Sequence, residues 1–139
     1  MDSKTAVKEV NAKFYEALSA QDLGAMDAIW LHEPWVRCVH PGWEMLTGWQ
    51  SIRKSWANIF KNTTYLKIYA SQITVHANEE VAWVVCTENI ASAQDANYQT
   101  ATALATNIYQ RVGTQWLLVH HHASPIPMIV PDASSDVIQ

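Results

Sequence analysis

Along this chain the hydrophobic spacing changes once, from a helical period to a strand period. Between residues 4 and 20, Val7, Val10, Phe14, Ala17 and Leu18 recur at helical intervals, with Lys4, Lys8, Glu9, Lys13 and Glu16 mostly opposite. This spacing predicts an amphipathic helix with Ser3 as N-cap. A second, short helix is expected over Leu23–Trp30, capped by Asp22 and closed by Glu33-Pro34, because the residue before a proline avoids helix. Val36–His40 reads as a short strand with Val36, Cys38 and His40 on one face, followed by a Pro41-Gly42 turn. A third helix is expected from Thr47 or Gly48 to Lys61, with Ile52, Trp56, Ile59 and Phe60 as its apolar stripe.

From Tyr65 onward the pattern alternates. Strands are expected over Leu66–Ala77, Val81–Ile90, Tyr98–Val112 and Gln115–Ser124, with a polar loop at Ala91–Asn97. After Pro125 the residues fit an irregular tail, so the chain divides into one domain, 1–126, and a tail, 127–139. Helices come first and strands later, which indicates an α+β fold. Three N-terminal helices would lie across the concave side of a strongly curved antiparallel sheet, enclosing a cone-shaped space.

Composition narrows the function. A chain of 139 residues with 49% hydrophobic content can bury a real core. Seven Trp and five Tyr exceed what a plain core needs and fit an apolar cavity or a subunit interface. A net charge of −4 argues against nucleic-acid binding. No run is apolar enough for a membrane span, so no membrane partner is expected. Met1-Asp2-Ser3-Lys4 lacks the apolar core of a secretory leader, and Cys38 and Cys86 form no spacing motif. A cytoplasmic location with both thiols reduced is the expectation.

The chemistry concentrates in Trp116–Pro125, WLLVHHHASP. With Gly113-Thr114 as a two-residue turn, Arg111 faces Trp116, Tyr109 faces Leu118, Asn107 faces His120 and Ala105 faces His122. Trp116, Leu118, His120, His122 and Ser124 would share one face, grading from apolar to polar as a ligand pocket does. That register is sensitive: a slip of one residue would separate Asn107 from His120.

These elements and motifs together resemble the nuclear transport factor 2-like superfamily, specifically its SnoaL-like branch. The residues that carry the resemblance are His40-Pro41-Gly42-Trp43, Gly48 with Trp56, Ala82-Trp83-Val84, Ala105-Thr106-Asn107, and the Trp116–Pro125 run. It spans about residues 4–126. The resemblance implies a cystatin-like cone, an apolar pocket and a homodimer formed through the outer sheet face. Its members include ketosteroid isomerases, polyketide cyclases, dehydratases and non-catalytic modules, so fold alone does not assign function. The isomerases and cyclases use a cavity Asp as general base. Here every Asp falls in a helix, loop or tail.

Two functions follow. In the first, the pocket binds a small hydrophobic molecule and performs acid–base isomerisation, dehydration or cyclisation. His120 or His122 would move the proton and Asn107 would hold the oxygen. His40, Trp43, Trp56, Tyr15 and Glu88 would complete the ligand site; Glu88, if buried, would be a second acid–base group. No cofactor is implied. A metal bound by His120, His122 and His40 is the weaker reading, because no cysteine or carboxylate completes a ligand set. In the second function, the domain is a non-catalytic homodimeric ligand-binding or association module. Leu117, Val119 and His121 would then face outward.

Overall fold

A computed structural model describes residues 1–127, so the expected tail lies, from residue 128 on, outside the described residues. Its elements are α1 (Ser3–Ala20), α2 (Leu23–Ile29), β1 (Arg37–Val39), β2 (Leu46–Thr47), α3 (Trp49–Lys61), β3 (Tyr65–Ala77), β4 (Val81–Gln94), β5 (Asn97–Val112) and β6 (Gln115–Ile126). The six strands form one sheet in the order β2-β1-β6-β5-β4-β3. All neighbours are antiparallel except β1 and β6. The three helices pack on this curved sheet, which is the α+β cystatin-like cone expected.

Local chemistry explains the helix boundaries. Asp2, rather than Ser3, caps α1 by accepting from Thr5 N at 2.7 Å. Asp22 caps α2 through Ala25 N at 3.0 Å. The guanidinium of Arg53 on α3 grips both carboxylate oxygens of Asp27 on α2, at 2.6 and 3.0 Å. The expected polar loop at Ala91–Asn97 is instead mostly strand: β4 and β5 continue to a tight turn at Asp95-Ala96. Cross-strand pairing of Ala91 with Thr100 and of Ala93 with Tyr98 overrides the polar composition. The two-residue strand β2 had no sequence signal of its own; it forms because Cys38 pairs with Leu46.

α1 buries Val7, Asn11, Phe14, Tyr15 and Leu18 against the sheet. These positions form one stripe at helical spacing. Two of them, Asn11 and Tyr15, carry polar atoms into the cone. Among the described residues, no helix is long and apolar enough to cross a membrane.

Candidate functional site

The site begins with an irregularity in β6. The hairpin register is as expected at its turn, with Arg111 opposite Trp116 and Tyr109 opposite Leu118. Beyond that the pairing slips, and Ile108 faces His120. Val119 is therefore an extra residue, a β-bulge, and it is buried beside Leu118. Here the other edge of β6 is held by Leu31 N, which donates to Leu118 O at 3.0 Å. Past the bulge the alternation is inverted.

The inversion corrects the histidine assignment. His121, not His120 or His122, points into the cone and is 2% exposed. His120 is half-buried and His122 exposed, both on the outer side, with ring centroids 6.2 Å apart. Asn107 faces His121 rather than His120. The expected outward set of Leu117, Val119 and His121 is also corrected, since Val119 and His121 are buried. His40 lies inside and His122 outside, so the three-histidine metal set does not assemble. Among the described residues, no group of three potential ligands can hold a metal ion.

Inside the cone a polar network links α1 to three strands. Asn107 Oδ1 accepts from His121 Nδ1 at 2.6 Å, which fixes the proton on that nitrogen. Asn107 Nδ2 donates to Asn11 Oδ1 at 3.0 Å and to Tyr15 Oη at 3.1 Å. Tyr15 Oη donates to Glu88 Oε2 at 2.7 Å and lies 3.4 Å from Cys86 Sγ. Tyr109 Oη donates to Asn11 Oδ1 at 2.7 Å. Glu88 pairs across to Ala70 and Ala103, which puts it on the concave face, only 2% exposed.

Burial sets the charges. Loss of solvation raises the Glu88 carboxyl to about 7, with the Tyr15 hydrogen bond opposing part of the rise. Desolvation, then the neighbouring His40, His120 and His122, lowers His121 to about 3. His121 Nε2 lies 3.8 Å from Glu88 Oε2. That is too long for a hydrogen bond, and with His121 neutral it is no ion pair. The Tyr15 hydroxyl is pushed up by burial and then by Glu88, so it stays a donor.

His40 belongs to a second, smaller group. Ser55 Oγ donates to Ile52 O at 2.7 Å, so it accepts from His40 Nε2 at 2.8 Å. Desolvation lowers His40 to about 4. Its ring meets Trp56 edge-on at 4.4 Å and Trp43 at 4.7 Å. Trp56 is buried and also reaches His121 at 6.0 Å, whereas Trp43 is about half exposed and covers His40 from outside. Trp56 thus bridges the two groups.

An open groove of about 960 Å³ runs between α1 and β3, walled by Asn11, Ala12, Tyr15, Ile68, Tyr69 and Ile73 among others. Of the residues expected to hold a ligand, Tyr15 lines this groove. Glu88 sits behind it; His40, Trp43 and Trp56 lie elsewhere. Sequence reasoning missed Asn11 and His121. Asn11 had a signal, since it stands four residues after Val7 and four before Tyr15 on the buried stripe.

Residues 7–129 match the SnoaL-like domain family. A structure from Streptomyces avermitilis, proposed to be a dehydratase of the NTF2-like family, is 33% identical, with 90% of this chain and 96% of that one covered and a TM-score of 0.84. A proposed calcium/calmodulin-dependent protein kinase type II association domain from Thiobacillus denitrificans is 27% identical, covering 86% and 94%, with a TM-score of 0.72. The F-box protein SKIP8 of Arabidopsis thaliana is 25% identical over 119 residues, 86% of this chain. The chain spans about half the length of that curated relative, 49%.

Proposed function

This chain belongs to the SnoaL-like domain family, and from that premise we propose that it binds a small, largely apolar molecule in the α1–β3 groove and performs acid–base chemistry on it, as a dehydratase or isomerase. The observation that carries this reading is the position of Tyr15: it lines the groove and donates to the buried Glu88. A carboxyl titrating near 7 is half ionised at neutral pH, so it can both take and return a proton. The ionised carboxylate receives a proton from the bound molecule by way of the Tyr15 hydroxyl. It then returns that proton to another atom in an isomerisation, or to a departing hydroxyl, which leaves as water. Glu88 thereby takes the base role expected of His120 or His122; His121 fixes Asn107, which holds Tyr15, and Tyr15 holds the carboxyl. Similarity to the proposed dehydratase supports the reaction class.

The test is a panel of β-hydroxy ketones and β,γ-enones, followed by the absorbance of a conjugated enone. The wild type should turn over a member with a rate rising through about pH 7, and Glu88→Gln should lower it by about 100-fold or more. Full activity in that variant, or no turnover across the panel, removes the acid–base role.

The second reading, a homodimeric association module, is favoured by one observation. Trp83, Leu104 and Ile108 share the convex sheet face, with Trp83 opposite Ile108, and Trp83 and Leu104 are 44% and 49% exposed. Similarity to the proposed association domain supports it. Sedimentation of the purified chain distinguishes a dimer from a monomer.

A further inference from the structure

Asn11 is 2% exposed, and its side-chain oxygen already accepts from both Asn107 Nδ2 and Tyr109 Oη. Its amide nitrogen makes no hydrogen bond among the described residues. The sealed, unpartnered side-chain atoms among those residues are Trp30 Nε1 and Trp56 Nε1. Asn11 Nδ2 is unpartnered and is not among those sealed atoms, and Asn11 lines the groove. A largely buried donor without a partner is unfavourable unless something accepts from it. We propose that Asn11 selects the ligand: its amide nitrogen donates to a neutral carbonyl oxygen on an otherwise apolar molecule lying in the groove.

At the Asn11 amide itself the neighbouring groups favour a carbonyl over a hydroxyl or carboxylate, while Lys8, Glu16 and Lys67 also line the groove. A ligand hydroxyl brings a proton that needs an acceptor. The acceptor beside that nitrogen, Asn11 Oδ1, has both positions occupied. At Asn11 a ligand hydroxyl therefore finds no free acceptor for its proton. A carboxylate would bring charge beside Glu88, in a place where burial already disfavours ionisation. A carbonyl only accepts and is neutral. The apolar walls from Ala12, Ile68 and Ile73 suit the rest of the molecule.

The inference rests on the groove being the ligand site, and the test separates the two. Three probes of one shape are titrated calorimetrically into the full chain: 2-acetylnaphthalene, 2-isopropenylnaphthalene and 1-(2-naphthyl)ethanol. The ketone should bind about tenfold tighter than the alkene, the alcohol no tighter than the alkene, and the ketone's infrared C=O stretch should fall on binding. Asn11→Leu should bring the ketone-to-alkene ratio to about one. Should that variant not fold, the unmodified protein still decides through the ratio and the stretch. Ala12→Trp, which fills the groove, should abolish binding of all three. Equal affinities, an unshifted stretch, or an unchanged ratio in Asn11→Leu overturns the Asn11 assignment while leaving the groove reading standing. Binding that survives Ala12→Trp, or no binding of any probe, overturns both.

Discussion

His121 Nδ1 lies 2.6 Å from Asn107 Oδ1, a bond between two buried side chains on neighbouring strands. Each partner is committed on other sides: Asn107 also holds Asn11 and Tyr15, and the His121 ring packs edge-on against Phe14 at 5.1 Å. Truncating the ring empties a packed position and strands an amide oxygen. His121→Ala should therefore cost about 2–4 kcal/mol in urea unfolding. The exposed His122, one residue on, should lose no more than about 0.5 kcal/mol as His122→Ala. Equal costs for the two variants would place the bulge elsewhere in β6.

Asn107 is the hub of the buried network. Asn107→Leu removes the acceptor of His121 and a donor to both Asn11 and Tyr15. Its buried neighbours are then left without those partners. The expected loss is about 3 kcal/mol or more, read by chemical denaturation. The double variant Asn107→Leu with Asn11→Leu should lose less than the sum of the two singles, because they share partners. Strict additivity would mean the network is not one unit.

Much of this site was legible in the sequence, and its failure has one physical source. The turn at Gly113-Thr114, the pairing of Tyr109 with Leu118, and the burial of Tyr15, Trp56 and Asn107 all follow from periodicity. The direction of the histidines does not. Period-2 alternation carries no memory of an inserted residue, and Val119 is as apolar as its neighbours, so nothing in WLLVHHH marks the bulge. Three consecutive histidines guarantee that one faces inward but conceal which. Glu88 was ambiguous for a related reason. The polar run after Ile90 suggested a loop, whereas β4 continues through it and keeps Glu88 in mid-strand on the concave face.

Buried titration should shape stability against pH. Glu88 has a folded value of about 7 against 4.5 for the free group. Its raised value gives stability that is complete below 4.5 and lost as pH rises through 7. His121 and His40, lowered to about 3 and about 4 from 6.5, act oppositely: their contribution is complete above 6.5 and is lost as pH falls towards those values. Between 4.5 and 6.5 two histidines oppose one carboxyl, so wild-type stability should climb with pH and then dip between 6.5 and 7. Glu88→Gln removes only the carboxyl. The stability of the wild type relative to this variant should fall by roughly 3 kcal/mol from pH 4.5 to above 7, measured by urea unfolding across that range. A constant difference would mean that Glu88 ionises in the folded protein as it does in water.

The convex face offers the last prediction. Trp83 sits opposite Ile108, Thr87 opposite Leu104, and Val85 opposite Thr106, a continuous strip across β4 and β5. The ring of His76 stacks on Trp83 at 5.3 Å, yet Trp83 stays 44% exposed. A strip of this kind is disrupted by a charge placed on its exposed apolar part, because a two-fold partner brings the same charge towards it. Leu104→Glu should therefore shift the light-scattering mass from dimer to monomer at micromolar concentration. It should leave folding intact, because Leu104 points away from the core. Val119→Asp, by contrast, places its charge inside the bulge and should unfold the domain rather than split a dimer. A monomeric wild type, or a Leu104→Glu variant that stays dimeric, would assign this face to solvent and leave the groove as the domain's working surface.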